Sequence, residues 1–275
     1  MLLGAIIGDM AGSRFEFERK PSFPDTVPLL GPLAHFTDDT VMTVAVAEGL
    51  ENGYGNPAKS AAEVVRSMQK FGRAWPRAGY GPRFRKWLGS PDPAPYGSCG
   101  NGSAMRASAA AWLYGTLEEV ERYSGIQAAT THDHPEGIRG ATAAAGITFL
   151  ARTGATKDEI RDAALNRWGY GAGSSLEDFR RTAHPSVLCA DTLPVALASF
   201  LWSDSFEGTI RTAISFGADT DTQAAIAGSF AEAFYGVPKK FEWQARGKLP
   251  RDLSDALDRF QAFARHCGAD GRAHE

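Results

Sequence analysis

The stretch EGIRGATAAAGITFLAR, residues 136–152, decides the fold class. Within it Ile138, Ala141, Ala145, Phe149 and Arg152 recur at spacings of three or four, the repeat that stacks side chains on one helix face. Pro135 suits a first helical turn, where a missing N–H costs nothing. Asp133 or His134 is placed to cap, and Gly154 suits the exit. Working outward, Thr37 to Leu50 continues the pattern through Val41, Val44, Ala45 and Glu48, with Gly49 and Gly53 near its end. Asp191 to Trp202 reads the same way. In Thr222 to Tyr235, Ile226, Phe230 and Phe234 form a stripe at every fourth position. Ala224, Ala227, Gly228 and Ala231 lie between and let neighbours approach closely. Leu253 to His266 is an amphipathic closing helix. No strand alternation of useful length is present, and no Asn-Gly hairpin is flanked by β-branched runs. The expectation is an all-α fold, one compact multi-helix domain over residues 1–275. The Gly- and Pro-rich region 72–102 predicts a long structured loop or a broken helical region, and long loops in compact domains often carry function.

Composition narrows the class. Lys and Arg total 29 against 32 Asp and Glu, a formal net charge of −3, which argues against bulk electrostatic binding of nucleic acid. Cys99, Cys189 and Cys267 are odd in number and far apart, unlike a disulfide framework or a zinc site. A reducing cytoplasm is the simplest setting. The first residues carry no positive region, and Asp9 interrupts the apolar run too early for a signal peptide. The uncharged stretch near Ala141–Ala151 is too short to span a bilayer. These features predict a cytoplasmic protein with no membrane partner, and a monomer is the default expectation.

Two acidic segments stand apart: Phe36-Thr37-Asp38-Asp39-Thr40 and Gly217-Ala218-Asp219-Thr220-Asp221-Thr222. Each opens an apolar helical run and packs carboxylates and hydroxyls into one turn. Adjacent carboxylates repel and need compensation. A helix N-terminus supplies part of it, and a bound cation would supply the rest. The donors are all oxygen, which suits Mg²⁺ or Mn²⁺ rather than zinc. Brought face to face, the clusters would hold two ions. The plainer alternative makes Thr37 and Asp221 N-caps with exposed acids in the first turn.

The series Gly4-Ala5-Ile6-Ile7-Gly8-Asp9, then Phe36 to Thr40, then Gly100-Asn101-Gly102-Ser103-Ala104-Met105-Arg106, then Thr131-His132, then Gly217 to Thr222 resembles the ADP-ribosyl hydrolases. The matches run from residue 4 to about 236. The resemblance implies an all-helical fold of the ADP-ribosylglycohydrolase type with a binuclear magnesium centre in a central cleft. It implies metal binding by Thr37, Asp38, Asp39, Asp219, Asp221 and Thr222, with Mn²⁺ as a possible substitute. It also implies that Gly97, Ser98, Cys99, Gly100, Asn101 and Gly102 cradle a diphosphate and ribose, where glycines let backbone N–H groups approach phosphate. His132 is implied at the substrate. Cys99 reads as a pocket wall rather than a nucleophile. His134 has no matched role and reads as a surface or capping residue. Glu16, in Gly12-Ser13-Arg14-Phe15-Glu16, resembles a carboxylate beside the metals on a mobile loop, with Glu18 close enough to be confused with it. Asp9 is expected to orient its neighbours or end a helix rather than to ligate.

The implied reaction removes ADP-ribose from a modified protein side chain, with an O-linked serine favoured, or from a small molecule. Glu16, Asp38 and Asp39 are the candidates to activate water. A binuclear hydrolase of another ADP-ribose compound, a phosphate-ester hydrolase and a non-catalytic ADP-ribose binder are the rival readings. Residues 66–86 add Arg66, Lys70, Arg73, Arg77, Arg83, Arg85 and Lys86 with no acid, interleaved with Phe71, Trp75, Tyr80 and Phe84, and Trp87 follows. That pattern fits a nucleic-acid face, or a basic helix and loop with buried aromatic anchors.

Overall fold

The segment that opened the sequence reading folds as one helix, Pro135–Arg152, in a computed structural model of the chain. Pro135 occupies its first turn, and His134 caps it by accepting from the Glu136 N–H at 3.0 Å through Nδ1. The structure describes residues 1–18, 21, 23 and 25–267. Positions 19, 20, 22, 24 and 268–275, part of the predicted domain 1–275, lie outside the described residues.

In chain order the helices are α1 (Leu3–Gly12), α2 (Asp38–Asn52), α3 (Pro57–Ala74), α4 (Pro82–Gly89) and α5 (Gly102–Met105). They continue as α6 (Ser108–Leu113), α7 (Leu117–Ala129), α8 (Pro135–Arg152), α9 (Lys157–Trp168) and α10 (Leu176–Thr182). The last five are α11 (Cys189–Leu201), α12 (Phe206–Ile214), α13 (Thr220–Tyr235), α14 (Lys239–Arg246) and α15 (Arg251–His266). Among the described residues there is no strand, only an isolated bridge between Gly100 and Leu188. The all-α expectation holds. The region 72–102 is the broken helical alternative: the end of α3, then α4, then extended chain.

One pairing positions the site. Gly4, Gly8 and Gly12 recur every fourth residue along α1 and meet α13 running the other way. A Cβ on Gly8 would lie 2.0 Å from the Ala224 carbonyl oxygen, and one on Gly12 would lie 2.4 Å from that of Thr220. Real Cβ atoms do not approach backbone so closely, so only glycine permits this helix separation. The consequence is geometric. The end of α1 lies beside the start of α13, which brings Asp9 and Glu16 next to residues 219–222. All ten residues of α1 are buried.

The other acidic segment is anchored by Asp9, which is fully buried. Its carboxylate accepts from the N–H groups of Thr37 at 2.9 Å and Thr40 at 3.0 Å, and from the Thr37 hydroxyl at 2.7 Å. These are amides that the first turn of α2 cannot satisfy itself. Asp9 therefore orients α2, as the sequence suggested. Gly49 and Gly53 lie at the end of that helix as expected, Gly53 as its C-cap and Gly49 in its last turn. Gly49 lies under α3, where a Cβ would meet the Val64 Cα at 2.5 Å. The helices share one apolar core, from Leu2 and Ile6 through Phe230 to Phe260. No described helix is long and apolar enough to cross a membrane.

Candidate active site

A cleft of about 360 Å³ opens where α1, α2 and α13 meet the segment that leads into α5. Glu16, Asp38, Asp39, Asp219, Asp221 and Thr222 line it, together with Ser98, Gly100, Asn101, Gly102 and His132. Thr37, Gly97 and Cys99, also expected at the site, do not line it. Thr37 is buried behind the wall.

The two acidic segments touch. The Thr222 hydroxyl donates to Asp39 Oδ2 at 3.2 Å, and the Thr37 hydroxyl reaches Asp221 Oδ2 at 3.4 Å. Carboxylate oxygens of Glu16, Asp219 and Asp221 lie within 4.8 Å of one another. Thr37 is the N-cap of α2, accepting from the Asp39 N–H at 3.4 Å, so capping and site duties coincide there. The N-cap position of α13 belongs to Asp219, not Asp221. Asp221 sits inside the first turn and accepts from the Thr222 N–H at 2.9 Å.

The acids are raised in pKa. Burial, then the charge of Asp9, pushes Asp38 up to about 7. Asp39 is held well above the usual carboxylate range by burial and then by Asp9 and Asp38. Asp221 is raised likewise by burial, then by Asp39 and Asp219. Glu16 is raised by burial and by Asp219. Among the described residues no Lys or Arg forms an ion pair with any of them. Asp39 Oδ1 is buried without a hydrogen-bond partner among the described residues. A bare carboxylate oxygen in a cluster of raised acids is a position that a divalent cation would satisfy, and the oxygen-only donor set fits Mg²⁺.

The loop before α5 is tied down through its own backbone. Gly97 adopts φ +65, which only glycine takes without strain. Its N–H donates to Asp133 Oδ1 at 2.6 Å, so Asp133 fastens the loop rather than capping α8. The Gly100 N–H donates to Ser98 Oγ and the Asn101 N–H to the Val187 carbonyl. Only the remaining amides of the loop can reach a ligand. The Asn101 side chain bridges to the acidic end, donating to Asp219 Oδ2 at 2.7 Å. The Cys99 carbonyl accepts from the Cys189 N–H at 3.1 Å, a backbone role. Burial, then Arg106 and Arg83, lowers His132 to about 2, so its ring is neutral.

Backbone hydrogen bonds on either side hold Glu16 in place. Phe17 and Ala218 both adopt positive φ, +64 and +62, which non-glycine residues rarely do. Their backbones pair, Phe17 N–H to the Ala218 carbonyl and Ala218 N–H to the Glu18 carbonyl. This ties the loop after α1 to the loop before α13. Glu16 faces the cleft, and the alternative carboxylate, Glu18, does not line it.

Arg83, Phe84, Tyr96 and Arg106 also line the cleft and had no assigned role. Arg106 closes the Gly100 to Arg106 motif, where a lone cation after five small or apolar residues was an available signal. Arg83 lay in the basic tract, whose Phe71, Tyr80, Phe84 and Trp87 are buried in the core. They are anchors, not exposed stacking platforms.

Fold and cleft together define a helical hydrolase with an acidic centre. The family model for ADP-ribosylglycohydrolase matches residues 1–271, and the chain belongs to that family of enzymes acting on glycosyl bonds. It is 25% identical over 337 residues to the human ADP-ribosylhydrolase ARH3, spanning 92% of this chain and 90% of that protein. It is 29% identical to the ADP-ribosylarginine hydrolase Tri1 of Pseudomonas putida (strain GB-1), spanning 92% and 76%. The ADP-ribosyl-[dinitrogen reductase] glycohydrolase of Rhodospirillum rubrum is 24% identical, with 95% and 94% spanned. A solved chain of an ADP-ribosylglycohydrolase-related protein complex superposes with a TM-score of 0.67 at 25% identity, covering 98% of this chain and 95% of that one.

Proposed function

We propose that the chain hydrolyses, with Mg²⁺, the glycosidic bond between ADP-ribose and a modified protein side chain, releasing ADP-ribose. The observation that carries this reading is the meeting of the two acidic segments at the cleft, Asp39 with Thr222 on its wall and Thr37 with Asp221 behind it. Residues about 180 positions apart thereby form one oxygen-lined centre with a bare buried carboxylate oxygen. Thr37, Asp38, Asp39, Asp219, Asp221 and Thr222 would hold two ions, Mn²⁺ serving as a substitute for Mg²⁺. Bound there, the ions supply Lewis-acid stabilisation of charge at the reacting ribose.

The chain's own groups do the rest. Glu16, raised by burial and held at the cleft by the Phe17–Ala218 backbone pair, takes the proton from the attacking water. Asp38 and Asp39 are the alternative bases. The loop from Ser98 to Gly102 and the neutral His132 receive the diphosphate. The acceptor in this reading is a serine, joined through oxygen. The unpaired thiols of Cys99, Cys189 and Cys267 support a reducing, cytoplasmic setting, and the enzyme acts as a monomer.

The test is a panel of ADP-ribosylated peptides and oligonucleotides assayed in Mg²⁺ and in chelator. The reading expects free ADP-ribose from the serine-linked peptide in Mg²⁺ alone. Release of AMP or inorganic phosphate overturns the glycohydrolase reaction. Turnover of only the arginine-linked peptide, or only the oligonucleotide, overturns the acceptor.

A further inference from the structure

Arg106 is a cation on the cleft wall with 1% of its surface exposed and no ion-pair partner among the described residues. Burying a guanidinium is costly unless its donors are used. Its Nε donates to Gln127 Oε1 at 2.9 Å, and one Nη donates to the Thr131 hydroxyl at 2.8 Å. The Gln127 amide is itself fixed, donating to the Ser103 carbonyl at 2.9 Å, so Oε1 faces the guanidinium.

The Thr131 oxygen also lies 2.7 Å from His132 Nδ1. A guanidinium cannot accept a hydrogen bond, so at that contact the Thr131 oxygen must accept. Its own proton has no other acceptor among the described residues and goes to Nδ1. Nδ1 is then an acceptor, and in a neutral imidazole the ring proton must sit on Nε2. Burial and the two nearby arginines keep the ring neutral. Nε2 faces the glycine turn: a Cβ on Gly102 would lie 3.2 Å from it and one on Gly100 3.7 Å.

We infer that Arg106 and Thr131 are positioning residues, which lock His132 as the Nε2–H tautomer and so present a fixed donor to the anionic part of the substrate. The ligand class rests on the proposed function, whereas the tautomer does not. The arrangement keeps a positive charge one hydroxyl away from the imidazole, behind the group that contacts the anion, while that group itself stays neutral.

The experiment is ¹⁵N NMR of histidine-labelled full-length protein between pH 5 and 8, paired with kinetics on ADP-ribosylated peptide. The wild type is expected to show a proton on Nε2 and none on Nδ1 throughout. Thr131→Val keeps the shape and removes the relay. It is expected to populate Nδ1–H and to raise KM about tenfold with kcat within about twofold, since only binding is weakened. Thr131→Ser restores both. Arg106→Met gives the same tautomer shift, and the two Thr131 variants carry the test if its buried site fails to fold. A wild-type ring protonated on Nδ1, or a Thr131→Val ring unchanged from wild type, overturns the relay. A tautomer shift with no change in KM leaves the relay standing and overturns the assigned ligand.

Discussion

The acid-lined end and the glycine-lined end of the cleft are built in opposite ways. At one end Asp38, Asp39, Asp219 and Asp221 crowd together with no cationic side chain among the described residues paired to them. At the other, a buried Arg106 stands with no anion among the described residues paired to it, beside a neutral His132 and bare glycine backbone. Each end is incomplete in charge, and the deficits have opposite sign. A ligand with diol oxygens at one end and a diphosphate at the other, taken up with divalent cations, would complete both. Neither end is a good structure for stability alone, because buried charge without a partner opposes folding.

That contrast is broken most severely at Asp39, whose Oδ1 has no partner among the described residues. Asp39→Ala is expected to lower kcat about 10³-fold in saturating Mg²⁺, the scale of losing metal-borne charge stabilisation. Steady-state kinetics checks this, and turnover near wild type would remove Asp39 from the centre. Next in size is Glu16→Gln, expected to slow turnover about 10²-fold, as loss of a general base does. Its melting temperature should be unchanged, because Glu16 is part-exposed.

Acid and metal sharpen the same comparison through stability. Asp38 has a folded value of about 7 against 3.8 for the free group. Between those values the folded chain binds more protons than the unfolded one, so acidification stabilises it and a rise through pH 7 destabilises it. In chelator, thermal melts should rise as pH falls from 8 to 6. Added Mg²⁺ should raise the melting temperature at pH 8 by about 5 °C and flatten that dependence. A chelated protein equally stable across this window contradicts the unpaired acidic end. The smallest effect belongs to His134, which caps α8 away from the cleft. His134→Ala should cost about 0.5–1 kcal/mol in denaturant melts, as a lost N-cap does, with kcat unchanged.

The acidic end was readable because polar residues at helix starts stand out against the apolar runs that follow them. Thr37 to Asp39 and Asp219 to Thr222 could be marked from chemistry before any pairing was known. Their face-to-face placement could not, because it depends on how closely α1 and α13 approach. The signal for that approach was present in Gly4, Gly8 and Gly12 at every fourth position. α1 itself escaped the periodic reading because it is buried on every side and has no polar face. The glycine-lined end was only half readable. The turn was marked, but Arg83, Tyr96 and Arg106 on the cleft wall were not, and Arg106 is held by Gln127 of α7 and by Thr131. Gly97 and Cys99 lie in the marked turn yet do not line the cleft; their backbones fasten the loop to Asp133 and Cys189.

The proposed reaction requires divalent cations between the start of α2 and the start of α13. Titration of Mn²⁺ into the purified chain, followed by electron paramagnetic resonance of the free ion, tests this without any substrate. Wild type should bind two ions saturably and release them to excess Mg²⁺, and Asp39→Asn should lose binding while remaining folded. A wild-type chain that leaves all the Mn²⁺ free, or an Asp39→Asn chain that binds as wild type does, contradicts it.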